Sequence, residues 1–140
     1  MKRFTLAALM AVLLSGCVTQ PAPSKTAGKV CSRGDAMQQT TLYFGLSRAQ
    51  GANITPAEWH AFLDGEVTPR FKEGLTVFDA QGQWLGENGK VVQEASKALM
   101  LIHGASAESD QAIETIRQHY TQRFQQESVM KVDSSACVAF

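Results

Sequence analysis

The feature that most constrains the fold of this chain is the order in which two hydrophobic periodicities alternate along it. Segments rich in β-branched and aromatic residues, typical of strands, are separated by segments whose apolar residues recur every three or four positions, as in helices. The predicted elements are strand 38–47, helix 56–68, strand 75–85, strand 90–102, a helix capped by Ser106 or Ser109 with an apolar stripe to Phe124, and strand 128–132. This order predicts an α+β fold of the ferredoxin-like (split βαβ, βαββαβ) type, an antiparallel sheet with two helices on one face.

Two turn signals sharpen that prediction. Thr55-Pro56-Ala57-Glu58 combines a capping threonine, a proline at the first helical position and the acid of a capping box, so it begins the first helix. Asn88-Gly89 is typical of a two-residue hairpin turn. That turn would place Gln83 opposite Glu94, unless Gly82 forms a bulge.

Two predicted strands are apolar at successive positions, Leu42 to Leu46 with one glycine and Leu99 to Ile102. Successive side chains point to opposite faces of a sheet, and the helices can cover one face only. The second face is therefore expected to be covered by a second copy of the chain, a loop, a ligand or an envelope protein. The alternative is that the tail 134–140 and the N-terminal tether fold back over it.

The N-terminus has the layout of a secretory signal. Lys2 and Arg3 precede an apolar run of eleven residues, which is shorter than the roughly 20 needed to span a membrane. Leu14-Ser15-Gly16-Cys17 resembles the lipobox of bacterial lipoproteins, which implies cleavage after residue 16 and acyl chains, palmitate among them, on Cys17. Val18 rather than an aspartate follows, which in such lipoproteins favours the periplasmic face of the outer membrane.

The remaining chain is read as a tether over 17–30 and one α+β domain over 31–140. Removal of Lys2 and Arg3 lowers the 13 basic side chains to 11, against 13 acidic ones, for a net charge near −2. No basic patch is present, so nucleic acid is not an expected partner. Cys31 and Cys137 flank strands that the predicted topology pairs, and the periplasm is oxidising, so a disulfide between them is expected.

Several spaced motifs resemble a family of small secreted bacterial proteins of unknown function. They are Leu42-Tyr43-Phe44-Gly45, Glu58-Trp59, Thr68-Pro69-Arg70-Phe71, Gly74-Leu75-Thr76 and Gln126-Glu127-Ser128-Val129. The resemblance covers about residues 40–140 and implies a single secreted domain. It implies no reaction.

Candidate chemistry is sparse. The three histidines have no metal-ligand spacing, so neither a metal nor a cofactor is expected. Gly45 could admit a ligand, form a bulge or make room for Trp59 or Tyr120. The candidate ligand-binding residues are Tyr43, Arg48, Arg70 and His103. The sequence favours a non-catalytic binding module of the envelope, and the alternative is a small-molecule binder or small enzyme of the dimeric α+β barrel type.

Overall fold

The computed structural model describes residues 30–48 and 50–140. Its elements are β1 (Asp35–Gly45), α1 (Pro56–Phe62), β2 (Thr76–Leu85), β3 (Val91–His103), α2 (Ala107–Phe124) and β4 (Met130–Val138). The predicted signal peptide, the lipidation site Cys17 and the tether up to residue 29 lie outside the described residues.

The four strands form one sheet in the order β2-β3-β1-β4, and every neighbouring pair is antiparallel. With β1 and β3 central and a helix after β1 and after β3, the fold is ferredoxin-like, as the order of periodicities predicts. The central strands β1 and β3 pair from Gln38 with His103 to Gly45 with Ser96. This register decides which side chains share a face.

The first helix begins as predicted. The Thr55 hydroxyl accepts from the Glu58 N–H at 3.2 Å, and the Thr55 N–H donates to the Glu58 carboxylate at 2.8 Å. The backbone bond from Thr55, then the bonds from Arg48 and the Thr55 hydroxyl, lower the pKa of Glu58 to about 2. The helix continues beyond α1 as one π-helical turn, Leu63–Val67, which the apolar spacing did not predict.

The core lies between the helices and one face of the sheet. Its centre is an aromatic cluster in which the Phe44 ring lies 5.2 Å from Trp59, 6.0 Å from Phe62 and 4.6 Å from Tyr120, measured between centroids. These rings meet edge to face, the arrangement that aromatic quadrupoles favour. Phe44, in the middle of a central strand, therefore joins both helices to the sheet.

The β2–β3 hairpin differs from its prediction. Leu85 pairs with Val91, and the Gly86 N–H donates to the Lys90 carbonyl at 2.8 Å, so the turn contains three residues, 87–89, with Gly89 at φ +72°. Gly82 pairs with Glu94 and the ladder has no bulge there, so the predicted two-residue turn and the pairing of Gln83 with Glu94 are wrong. A shift of one residue moves a side chain to the other face of a sheet. Glu94 consequently lies opposite a glycine.

The C-terminal segment is also different from its prediction. Residues 134–138 are strand rather than tail, because β4 pairs with β1 along its whole length, from Met130 with Tyr43 to Val138 with Asp35. The tail therefore does not fold back over the sheet. Cys31, just before β1, and Cys137, in β4, form a disulfide with a Cα–Cα distance of 5.6 Å.

Candidate functional site

The face of the sheet opposite the helices, called here the open face, is apolar and uncovered by the described residues. Its larger apolar side chains come from all four strands and are Met37, Tyr43, Phe78, Trp84, Val92, Met100, Ile102, Met130, Val132 and Val138. Phe78 is 51% exposed and Met130 is 56% exposed. The structure thus has the second apolar face that the unbroken apolar strands predicted.

Among the strand residues that the structure describes, the open face has charged side chains only near its two ends. The register places Asp35 at the end where β1 begins, and Glu94 at the end where β3 begins. Between them the face presents apolar, hydroxyl and amide groups.

At the Glu94 end, the open face deepens into a groove of about 850 Å³. Residues of all four strands form the floor and sides, and the loop 125–128 between α2 and β4 forms one wall. Two glycines lie beside Glu94 on the floor: Gly82 pairs with it directly, and Gly45 pairs with Ser96 two positions further along β3. The missing side chains make this end of the sheet concave.

The Glu94 carboxylate occupies the space that a side chain at Gly45 would take. A Cβ atom on Gly45 would lie 2.6 Å from the Glu94 Oε1 atom. The Ser47 N–H donates a hydrogen bond to that same oxygen at 2.9 Å. Gly45 therefore forms no bulge; it makes room for a carboxylate, which the sequence analysis did not consider.

Neighbouring side chains hold the backbone around this carboxylate. The Tyr120 hydroxyl donates to the Gly45 carbonyl at 2.7 Å, and the Gln126 amide donates to the Ser47 carbonyl at 2.6 Å. Burial, and then the negative charge of Glu94, raise the pKa of the Tyr120 hydroxyl well above its usual value. The tyrosine stays protonated and is a fixed donor at neutral pH.

Arg48 lines the groove, but its charge is already engaged. Its guanidinium donates to the Glu58 carboxylate at 2.6 Å and to the Ala52 carbonyl at 3.1 Å. It also lies 5.7 Å from the centroid of the Phe124 ring. No ion pair between a described basic side chain and Glu94 exists.

The four sequence-predicted ligand residues do not form one site. Tyr43 and Arg48 both line the groove. His103 lies near the opposite end of the sheet, paired with Gln38 at the start of β1. Arg70 follows the π-helical turn and forms an ion pair with Glu66 at 3.0 Å.

His103 is a buried structural residue with defined polar contacts. Its Nε2 atom lies 2.9 Å from the Thr40 hydroxyl, which donates to Asp133 at 2.6 Å, and its Nδ1 atom lies 2.9 Å from the Gly104 carbonyl. Burial alone would raise the pKa of Asp133, but the hydrogen bonds from Thr40 and Lys131 hold it below its ordinary value. These contacts join the end of β3 to the middle of β1 and of β4.

Glu94 is the site residue that sequence reasoning missed. The predicted hairpin places it only opposite Gln83 and assigns it no role. In the structure Lys97 forms an ion pair with Asp79 on the other face. The signal that could have found Glu94 was the pair of glycines, Gly45 and Gly82, in predicted strands on either side of it.

Neither a metal-binding cluster nor a spanning helix occurs in the described part of the chain. Over residues 30–48 and 50–140, no three histidine, cysteine or acidic side chains are grouped so that they could bind a metal ion. None of the described helices is both long enough and apolar enough to cross a bilayer.

Comparison of the sequence with protein families gives one match, to proteins of unknown function (DUF3574), over residues 39–140. The chain belongs to the DUF3574 family. The matched part contains the core, the groove and Cys137, and it supports the resemblance to an uncharacterised family. No curated protein is significantly similar to the chain in sequence.

Solved structures similar to the DUF3574 domain include a phage SAM lyase. The structure of the lyase in complex with S-methyl-5'-thioadenosine has a TM-score of 0.53 and 16% identity to this chain, and the match covers 79% of this chain and 97% of the lyase. The structure of the lyase in its apo state has a TM-score of 0.54 and 16% identity, and the match covers 80% of this chain and 98% of the lyase. CutA from Synechococcus elongatus has a TM-score of 0.48 and 7% identity, over 73% of this chain and 78% of that chain. At this identity the lyase supports the ferredoxin-like fold alone.

The place that Gly45 leaves for the Glu94 carboxylate can be tested by Gly45→Ala. The added Cβ would displace the flexible end of Glu94 and break its bond with the Ser47 N–H, so we expect the free energy of unfolding to fall by about 1–2 kcal/mol. Gly82→Ala is the matched control, because the nearest atoms to its added Cβ lie 3.9 and 4.0 Å away. Urea denaturation measures both; equal stabilities would contradict the explanation.

Proposed function

We propose that this DUF3574 protein is a lipid-anchored, non-catalytic binding module of the bacterial envelope, and that a second copy of the same chain covers its open face. The lipobox-like sequence at Cys17 supports the anchor, and the position of Val18 supports the periplasmic side of the outer membrane. The observation that carries the binding role is the uncovered apolar surface contributed by all four strands.

The size of the open face suits a dimer. Four strands about 4.8 Å apart and about 8 residues long outline a surface of roughly 20 by 25 Å. Two such faces would bury about 1,000 Å² in outline, and more once the relief of the side chains is included. That is enough for a specific protein–protein contact.

The distribution of charge favours a second copy over a charged partner. The centre of the open face has no charged side chain among the strand residues described, so two copies could meet there without like-charge repulsion. Facing sheets pack about 10 Å apart through interdigitating apolar side chains. Other envelope proteins are the alternative occupants.

The test is the molar mass in solution of the chain with Cys17→Ser, which prevents lipidation, measured by light scattering after size-exclusion chromatography. We expect a dimer. Phe78→Glu should weaken it at least about tenfold, because it places a carboxylate in the apolar contact of each copy. Leu85→Glu is the matched control, since Leu85 is an exposed apolar residue (70%) on the other face of the same strand.

Two outcomes would count against self-association. One is a monomer at all concentrations, in which case crosslinking in intact envelopes would identify the other occupant. The second is a dimer that Phe78→Glu leaves intact or that Leu85→Glu weakens as much, which would move the contact elsewhere.

The groove favours a second candidate function, binding of a small molecule. The groove is a concave site of about 850 Å³ in which aromatic and apolar side chains lie beside polar groups, and concave sites that combine the two are typical of ligand binding. If two copies pack through their open faces, each groove would lie at the margin of the contact.

A further inference from the structure

We infer that the groove binds a small organic cation that carries an apolar or aromatic group, with Glu94 as its counter-ion. This inference deepens the second candidate function, the small-molecule site, and does not require the dimer. It depends on three features of the groove: an unpaired carboxylate, a floor without side chains and an aromatic wall.

The first feature is the charge. Glu94 is half-buried in the groove, and one of its carboxylate oxygens accepts from the Ser47 N–H. Arg48, the only basic residue among the described residues of the lining, is held by Glu58. A carboxylate partly removed from water and without an ion-pair partner attracts a positively charged group more strongly than one in open solvent.

The second feature is the space beside that carboxylate. The Glu94 carboxylate itself fills the space above Gly45, but Gly82, which pairs with Glu94 on the other side, presents no side chain, and the atoms nearest to a Cβ there are 3.9 and 4.0 Å away. A ligand can therefore approach the backbone of β2 directly beside the carboxylate. Glycine in a strand is unfavourable by itself, and such close approach is one of its recognised uses.

The third feature is the wall. One ring carbon of Trp84 lies 4.0 Å from the position of a Cβ on Gly82, so the indole leans over the open floor, and Trp84 is 49% exposed. Tyr43 and Met130 line the same groove. An indole ring in the same groove as a carboxylate suits a cation joined to a flat or apolar group, because the ring attracts the cation and packs against the rest.

The test uses three probes of nearly equal shape: phenethylammonium, 2-phenylethanol and 3-phenylpropanoate. Each is titrated at pH 7 into the whole chain carrying Cys17→Ser, and the amide signal of Ser47 and the indole signal of Trp84 are followed by NMR. We expect the ammonium to shift both signals and to bind at least about tenfold more tightly than the alcohol, because it adds a charge-assisted hydrogen bond. The carboxylate should bind more weakly than the alcohol.

Variants assign the preference to one residue. Glu94→Gln should remove the difference between ammonium and alcohol while preserving the shape of the side chain. Glu73→Gln, which removes an exposed acid outside the groove lining, should leave the difference unchanged. If Glu94→Gln fails to fold, Gly82→Val is used, which fills the floor without changing the charge and should abolish binding of the ammonium.

In the titration, the inference would be overturned if phenethylammonium caused no shift, if it bound no more tightly than the alcohol, or if the shifts lay outside the groove. Among the variants, it would be overturned if the preference for the ammonium survived Glu94→Gln, or if binding survived Gly82→Val. The result is independent of the oligomeric state. A monomer that prefers the ammonium would contradict the dimer alone, and a dimer without that preference would contradict this inference alone.

Discussion

Replacing both Cys31 and Cys137 with alanine is expected to lower the free energy of unfolding by up to about 4–5 kcal/mol. The disulfide joins residues separated by 106 positions, and in the chain-entropy model a loop of that length is the largest constraint on the unfolded state that this chain offers. Most small domains have only about 5–15 kcal/mol of stability in total. The double variant should therefore be close to unfolding at 37 °C.

Urea denaturation of the oxidised protein and of the double variant measures this difference. The oxidised protein treated with excess reductant is the control, and it should unfold at the same urea concentration as the variant. If the free energies of unfolding of the variant and the oxidised protein differ by less than about 1 kcal/mol, the pairing of β1 with β4 holds the two ends of the domain together without the disulfide. Such a result would also mean that the stability of the domain does not depend on an oxidising compartment.

Phe44→Ala is expected to cost about 3–5 kcal/mol, the range for removal of a large aromatic side chain from a core. Phe44 is fully buried and contacts the Trp59, Phe62 and Tyr120 rings, so the cavity would lie where both helices meet the sheet. Denaturation at low protein concentration, where self-association contributes little, measures the loss.

Phe78→Ala is the matched control for Phe44→Ala. It removes the same side chain from a strand of the same sheet, but on the open face, where half of the ring is exposed. Its cost should stay below about 1.5 kcal/mol. Similar costs for the two variants would mean that the open face is covered in the monomer, which would contradict both the assignment of faces and the proposed contact.

Some features of the fold could be predicted from short segments of the sequence, because the interactions that form them join residues close together in the chain. The capping box at Thr55 and Glu58 uses two residues three positions apart, and it forms as predicted. The unbroken apolar pattern of β1 and β3 predicted an apolar second face, because alternation of side chains is a property of a single strand. The disulfide was expected from the topology, which brings the start of β1 to the end of β4.

Other features depend on pairing between distant residues and were predicted wrongly or not at all. Asn88-Gly89 suits two turn lengths, and the three-residue turn was selected by the pairing of the whole β2–β3 ladder. That choice puts Gly82 opposite Glu94. Likewise β4 is longer than its apolar segment, because its polar residues 133–135 are paired with β1 and need little hydrophobicity of their own.

The sequence by itself determined the order of elements, the start of the first helix and the apolar second face. Each of these depends on residues close together in the chain. Only the tertiary structure decided that Tyr43 and Arg48 share a groove while His103 and Arg70 lie elsewhere, and that Glu94 is its central group. The reason is that a site of this kind is made by strand register, and register is set by the sheet as a whole rather than by any one segment.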